Sequence, residues 1–263
     1  MKIAFIGCGN MGGAIVRAVC KSREAKNVYV ANSSIGKAQA LAAECGCVVC
    51  PDNRSAAEGA DYIFLGVKPY QILDMIGEVN EVLTGREIIV SMAAGVTIAA
   101  MREAAGKGNP IIRILPNTPC AIGRGIVTIV PGEGVGNEKV VELEDMLSAC
   151  GYVGYADEAH AEAGMTVGGC TTAYTYMFIE ALADGGVKAG LPRAEAMRLA
   201  AQAVSGAAEM MLQSGRHPGE LKDAVCSPGG ATIEGVQALE SRAFRGAVMD
   251  AIYVAAKRSA ELG

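Results

Sequence analysis

Gly7-Cys8-Gly9-Asn10-Met11-Gly12 follows the apolar run Ile3-Ala4-Phe5-Ile6 directly and opens onto Gly13-Ala14-Ile15-Val16-Arg17-Ala18-Val19. That order predicts a strand, a glycine turn and a helix. In a dinucleotide-binding unit, Gly7 permits the tight turn, Gly9 lets the backbone approach a pyrophosphate, and Gly12 lets the helix pack against the strand. The free amides of the helix N-terminus then serve the phosphates. Glycine makes up 34 of the 263 residues, so the spacing alone is weak. The strand before it and the helix after it favour nucleotide binding over a turn used only for packing.

The next apolar run, Asn27-Val28-Tyr29-Val30-Ala31, reads as the second strand and ends at Asn32-Ser33-Ser34. An NAD-dependent unit usually carries a carboxylate there. Two like charges about 4 Å apart repel by roughly 4 kcal/mol at an effective dielectric near 20, so a carboxylate would reject a 2'-phosphate. Asn32, Ser33 and Ser34 impose no such repulsion, their polar groups can hydrogen-bond a phosphate, and Lys37 lies close by in sequence. NADPH is therefore the expected cofactor, with NADH possible. The same polar turn also reads as a helix cap at Ser33 or Ser34.

A net charge of -5 with scattered Lys and Arg argues against a phosphate-backbone binder, so no nucleic-acid partner is expected. No apolar run reaches membrane-spanning length without a break, so no membrane partner is expected either. The N-terminal apolar stretch runs straight into the glycine turn and does not resemble a signal peptide, which points to the cytoplasm. Nine dispersed cysteines do not suggest a disulfide framework. Cys45, Cys47 and Cys50 could hold a metal, but no fourth Cys or His is near, and Val48-Val49 suggests a buried strand. Cys8 could make cofactor binding sensitive to oxidation; a small filler in the turn is the simpler reading.

Periodicity divides the chain near residue 160. Before it, apolar runs at 60–67, 87–91, 111–114 and 125–130 alternate with helical stretches, which predicts a mostly parallel sheet with helices on both faces. After it, Ala-rich stretches at about 161–189, 193–213 and 230–262 predict an all-helical second half. The expected domains are 1–160 and 161–263. A helical region so rich in Ala and Met has difficulty covering its own apolar surface, so a homodimer or higher homo-oligomer is expected.

Histidine often serves as acid or base in carbonyl reduction, yet the chain has only His160, at the domain junction, and His217, beside Pro218 on an expected loop. Tyr253 and Lys257 have Tyr-x-x-x-Lys spacing but lie on the terminal helix, and read as packing plus a solvated lysine. An imine substrate fits this scarcity better, because a protonated imine accepts hydride without a strong acid beside it. The segment 221–235, Leu-Lys-Asp-Ala-Val-Cys-Ser-Pro-Gly-Gly-Ala-Thr-Ile-Glu-Gly, reads as a loop feeding a helix N-terminus. Amides around Gly229, Gly230, Ala231 and Thr232 suit a carboxylate, and the Thr232 hydroxyl suits a ring nitrogen. A Pro-Gly-Gly turn with Thr232 in the first helical turn is the alternative.

With that segment, Val67-Lys68-Pro69, Ser91-Met92-Ala93-Ala94-Gly95, Arg113-Ile114-Leu115-Pro116-Asn117-Thr118-Pro119 and Ala181-Leu182-Ala183-Asp184-Gly185-Gly186-Val187 occur in order along the chain. In these motifs it resembles the pyrroline-5-carboxylate reductase family, nearly end to end. The resemblance implies an α/β fold, with an N-terminal Rossmann-type doubly wound sheet followed by an all-helical dimerisation domain. It implies NADPH-dependent reduction of 1-pyrroline-5-carboxylate to L-proline at a site on the subunit interface. Cofactor contacts are expected from Ile6, Gly7, Cys8, Gly9, Asn10, Met11 and Gly12, from Ser33, Lys37 and Asn53, and from Val67, Lys68, Pro69, Ala93, Ala94 and Gly95. Substrate contacts are expected from Ser227, Gly229, Gly230, Ala231 and Thr232. Thr232 and Lys68 are the expected catalytic residues, Lys68 through its charge and not as a proton donor.

Two stretches depart from the family pattern. Val167-Gly168-Gly169-Cys170-Thr171-Thr172-Ala173-Tyr174 stands where members usually read Ser-Gly-Ser-Gly-Pro-Ala-Tyr, and Ala224 stands where an asparagine that touches the cofactor is usual. These departures keep two alternatives open: an NADP-dependent reductase of a related cyclic imine or β-hydroxyacid, and a catalytically silent nucleotide-binding paralogue.

Overall fold

The computed structural model describes residues 1–261. The chain forms two compact units: Met1–Gly169 together with the chain from Ala255 onward, and Cys170–Val254.

In the first unit, apolar runs become β1 (Ile3–Ile6), β2 (Val28–Ala31), β3 (Val48–Val49), β4 (Tyr62–Leu65), β5 (Ile88–Ser91), β6 (Ile111–Pro116), β7 (Gly125–Pro131) and β8 (Gly151–Tyr155). They form one sheet in the order β3-β2-β1-β4-β5-β6-β7-β8. Every adjacent pair is parallel except β6 and β7. Strands covered on both faces are buried at every position, as in β1 and β4. Phe5 on β1 lies opposite Phe64 on β4, with stacked rings 4.4 Å apart between centroids. Full burial of such a side chain stabilises by about 1.5–3 kcal/mol.

Helices cover both faces. α1 (Asn10–Ser22), α2 (Ile35–Cys45) and α6 (Asn137–Leu147) pack Ile15, Leu41 and Leu143 on the side of Phe5 and Phe64. α3 (Asn53–Ala57), α4 (Ile72–Val79), α5 (Ile98–Ala105) and α7 (Glu158–Met165) pack Ala56, Ile76, Met101 and Ala161 on the side of Ile6 and Leu65. The alternation of α-helical and parallel strand segments is the doubly wound arrangement expected from sequence.

The second unit is helical: α8 (Thr171–Lys188), α9 (Arg193–Ser214), α10 (Pro218–Val225), α11 (Ala231–Glu240) and most of α12 (Phe244–Ala260). Its buried cluster is small, with Ala183, Ala196 and Ala200 against Ile179. A Cβ on Gly186 would sit 3.1 Å from the Ala196 Cβ, so the glycine lets α8 and α9 approach closely.

Several local expectations change. β3 is an edge strand, so Val48 is exposed rather than buried, and the flanking Cys47 and Cys50 are the buried residues. β8 was not anticipated: glycines at both 151 and 154 and exposed Tyr152 and Tyr155 hide its pattern. The stretch 161–189 is not one helix, because the chain passes from α7 through a π-helical turn, Thr166–Cys170, into α8. Residues 221–225 are helical and belong to α10; Pro218 is acceptable there because the first helical position needs no amide partner. The stretch 230–262 breaks between α11 and α12, where Ala243 adopts φ +54°. Its expected end at Leu262 lies outside the described residues.

Candidate functional site

The order of strands reverses beside β1, between the βα turns of β1 and β4, which is where an open α/β sheet offers a crevice for ligands. A cleft of about 950 Å³ lies there. Its floor comes from the turn after β1 (Ile6, Gly7, Gly9, Asn10, Met11) and the turn after β4 (Gly66, Val67, Lys68), with Met92 beyond β5. The end of β2 contributes Asn32, Ser33 and Ile35, and the remaining wall is Pro51, Asp52, Asn53, Gln71, Met75 and Glu78.

The three glycines take the places read from their spacing. Gly7 adopts φ +90°, which a side chain strongly disfavours. A Cβ at Gly12 would lie 2.1 Å from the Gly7 carbonyl oxygen, so Gly12 must remain bare for α1 to reach the turn. A Cβ at Gly9 would meet nothing within 4 Å. The space above Gly9 is therefore open cleft. Gly9 is also the N-cap of α1 and supplies no side-chain hydrogen bond to its amides. Uncapped amides beside open space fit a pyrophosphate, so these residues fit a dinucleotide.

At the ribose end, the Asn32 side chain is already engaged. Its Oδ1 accepts the Cys8 amide at 2.9 Å and its Nδ2 donates to the Ser34 carbonyl at 3.0 Å. Ser34 is the N-cap of α2 but makes no side-chain capping bond, while Ser33 is exposed and lines the cleft. Lys37 is exposed at the start of α2 and does not line the cleft. Asp52 caps α3 by accepting the Ser55 amide at 2.7 Å, and the next residue, Asn53, donates to Glu78 Oε1 at 3.0 Å. The sequence does not single out Gln71, Met75 or Glu78, which lie on helical turns with no motif of their own, whereas Met92 falls within the motif at 91–95.

Cys8 and Gly12 are buried behind the cleft and do not line it. Burial pushes the Cys8 thiol up to about 12, the neighbouring Cys47 adding to the rise, which disfavours the reactive thiolate at this position. Lys68 is exposed on the cleft, and its backbone amide donates to Gln71 Oε1 at 3.3 Å. Pro69 is exposed one residue beyond the lining. Ala93, Ala94 and Gly95 form the turn leaving β5; Ala93 donates its amide to the Ser91 hydroxyl, and Gly95 adopts φ +75°.

Cys47 packs in the core and shares a thiol hydrogen bond with Cys20, which lowers its pKa against the effect of burial. Among the described residues, no group of three or more His, Cys, Asp or Glu is arranged to hold a metal ion. His160 and Asp157 pair at 2.7 Å on the exposed start of α7. His217 caps α10, its Nδ1 accepting the Gly219 amide at 3.1 Å, so it ends a loop and begins a helix. Tyr253 is 72% exposed within the single chain.

The second unit carries the Ser227–Thr232 segment. The Gly230 amide donates to the Ser227 carbonyl at 3.0 Å, and Gly229 adopts φ +67° to complete the turn. A Cβ at Gly230 would lie 2.4 Å from the Ser227 hydroxyl oxygen and 3.2 Å from its carbonyl oxygen, so a larger residue there would require the Ser227 side chain to turn away. Gly230 is the N-cap of α11 without a side-chain cap, leaving amides near Ala231 and Thr232 for an acceptor such as a carboxylate. Thr232 is exposed in the first turn of α11.

Residues 158–262 match the family described as pyrroline-5-carboxylate reductase dimerisation, and residues 2–95 match the family described as NADP oxidoreductase coenzyme F420-dependent. The chain is 39% identical over 263 residues to pyrroline-5-carboxylate reductase of Escherichia coli (strain K12), covering 99% of this chain and 98% of that protein. A solved pyrroline-5-carboxylate reductase from Coxiella burnetii superposes with a TM-score of 0.93 at 32% identity, covering 100% and 98% of the two chains. Pyrroline carboxylate reductase of Plasmodium falciparum, solved with NADP bound, superposes with a TM-score of 0.89 at 28% identity over 100% and 98%. With relatives this similar along its whole length, the chain belongs to the pyrroline-5-carboxylate reductase family.

Proposed function

We propose that this protein reduces 1-pyrroline-5-carboxylate to L-proline with NADPH, NADH being a weaker alternative. The open, uncapped turn at Gly9 carries the cofactor reading, and the full-length relatives carry the reaction. When bound, the reduced nicotinamide supplies hydride to the imine carbon; the C=N electron pair passes to the nitrogen, which keeps the proton of the protonated imine. The residues of the chain bind and orient. Gly7, Gly9, Asn10 and Met11 hold the pyrophosphate, Ser33 and Asn53 the adenosine end, and the turns at Val67–Pro69 and Ala93–Gly95 the nicotinamide end. Lys68 adds positive charge at the cleft. Ser227, Gly229, Gly230 and Ala231 receive the substrate carboxylate through backbone amides, and Thr232 hydrogen-bonds the ring nitrogen.

On this reading residues 1–160 serve the cofactor, and 161–263 serve dimerisation and the substrate. The second unit leaves Met177, Leu212, Met249 and Tyr253 more than two-thirds exposed, which supports a homodimer or higher homo-oligomer. No described helix is long and apolar enough to cross a membrane; a cytoplasmic location is part of the same proposal.

The test is NADPH oxidation by the purified protein with 1-pyrroline-5-carboxylate, run beside 1-pyrroline-2-carboxylate and beside NADH. Fastest turnover of the first substrate with NADPH supports the proposal. Preference for the second substrate would assign a related cyclic imine. Bound NADPH without turnover of either would assign a silent paralogue, and the departures at Ala224 and Cys170-Thr171-Thr172 would be its cause.

A further inference from the structure

The wall of the cleft around α3 and α4 carries Asp52, Asn53, Met75 and Glu78, with two carboxylates and no cation. Asp52 is committed to capping α3, where its Oδ1 accepts the Ser55 amide at 2.7 Å. Glu78 is placed differently. Its Oε1 accepts Asn53 Nδ2 at 3.0 Å, and among the described residues its Oε2 takes no hydrogen bond. The guanidinium of Arg54 is engaged elsewhere: Nε donates to the Glu78 main-chain carbonyl at 3.0 Å, and Nη1 pairs with Glu81 at 2.7 Å. The Glu78 carboxylate therefore keeps its charge on the cleft.

The bond to Asn53 also fixes what that side chain has left to offer. A carboxylate only accepts, so Asn53 must meet Glu78 with its nitrogen, and its remaining group is the acceptor Oδ1. A ligand edge that meets this pair must bring a donor. On the adenine of NADPH the ring nitrogens accept, and the 6-amino group is the donor. The ribose 3'-hydroxyl also donates, but it sits beside the 2'-phosphate, and like charges about 4 Å apart repel by roughly 4 kcal/mol at an effective dielectric near 20. A carboxylate is thus tolerated at the base and disfavoured at the ribose. Met75 stands three residues before Glu78 on α4 and shares its face, giving a flexible apolar surface for a flat ring.

We propose that Glu78 selects the base of the cofactor: its carboxylate, held by Asn53, accepts the 6-amino group of adenine while Met75 lies against the ring. The proposal rests on the cofactor reading stated above and names the group that this wall recognises. Hypoxanthine carries an oxo group in place of the amine, so it turns an acceptor towards an acceptor. In Glu78→Gln, Oε1 remains available to Asn53 and the new N–H₂ faces the base, which suits the oxo group and opposes the amine.

The experiment measures equilibrium binding without substrate, by titration calorimetry, of NADPH and of its hypoxanthine analogue. The proteins are the full-length wild type, Glu78→Gln, Glu78→Ala and the control Glu81→Gln. Glu81 pairs with Arg54 and does not line the cleft. The wild type and the control should prefer NADPH by about fivefold or more, a modest factor because Glu78 is exposed to water. In Glu78→Gln the preference should vanish or reverse, and in Glu78→Ala it should vanish. Equal affinity of the wild type for the two dinucleotides would overturn the proposal. A preference that survives in Glu78→Gln, even with both ligands weakened, would assign Glu78 to holding Asn53 and overturn it as well. If the wild type binds neither dinucleotide, the cofactor reading falls and this proposal with it. If it binds NADPH but reduces no pyrroline, only the reaction reading fails, and the comparison of bases still decides the role of Glu78.

Discussion

The side-chain carbonyl of Asn32 accepts the backbone N–H of Cys8 at 2.9 Å, tying the end of β2 to the glycine turn after β1. Because its amide group is also engaged, with the Ser34 carbonyl, Asn32 serves the shape of the cleft and leaves the ribose to its neighbours. Ser33 is the adjacent exposed residue on the cleft wall. Ser33→Asp is therefore expected to lower the ratio of kcat/KM for NADPH over NADH by at least tenfold, about 1.4 kcal/mol of discrimination. Steady-state rates with both cofactors check it, and an unchanged ratio would remove Ser33 from the ribose site.

Gly9 and Gly12 separate folding from binding within one turn. Gly12→Ala forces a Cβ to 2.1 Å from the Gly7 carbonyl oxygen, so the turn must open; a loss of several kcal/mol of stability is expected. Gly9→Ala meets no atom within 4 Å, so thermal unfolding should stay near that of the wild type while the methyl group occupies the space meant for a pyrophosphate. NADPH affinity should fall at least tenfold. Calorimetric unfolding and cofactor titration of the two variants give the contrast, and equal effects on both quantities would contradict it.

The Thr232 side chain makes no hydrogen bond among the described residues and stands exposed beside uncapped amides of α11. Thr232→Ala should reduce kcat/KM for 1-pyrroline-5-carboxylate by roughly tenfold or more, on the order of the net contribution of one hydrogen bond to a charged group. NADPH binding should be nearly unaffected. Measuring both, by turnover and by cofactor fluorescence, distinguishes a substrate contact from general damage to the site.

The sheet was legible because its strands are short apolar runs covered on both faces, and the cofactor cleft because strand, glycine turn and helix fall in one unbroken segment. β8 and α10 escaped for local reasons: β8 is rich in glycine and half exposed, and α10 begins at a Pro-Gly pair that reads as a turn. The partners of Asn32 were beyond reach, since a polar side chain at a strand end serves equally well for ligand or backbone. Asn117 is similar. It was visible in a motif, yet its Oδ1 holds the Ile126 amide and its Nδ2 the Gly168 carbonyl, contacts 9 and 51 residues away. Arg113 did leave a sign. A lone charge inside Ile-Ile-Arg-Ile-Leu, on a strand destined for burial, requires a carboxylate somewhere, but periodicity does not say which.

Glu87 gives a prediction about acid. Its carboxylate is 5% exposed and accepts the Thr84 amide and hydroxyl, the Gly85 amide and the Asn109 side-chain amide. Burial would raise this carboxyl, but the bonds from Thr84, with those from its own amide and Asn109, outweigh burial and lower it. A carboxyl whose folded pKa lies below its unfolded value adds stability that is fully present above about pH 4.3 and disappears as pH falls through the folded pKa. Protonation sets an O–H against a ring of donors, and Glu87→Gln places an N–H₂ there at every pH. The variant should be less stable than the wild type by about 1–3 kcal/mol at neutral pH. That gap should narrow in denaturant titrations as the pH is lowered from about 4.5 towards 3, because the wild type then carries the same mismatch. A gap that stays constant across this range would mean that Glu87 is not the titrating acceptor at the head of β5.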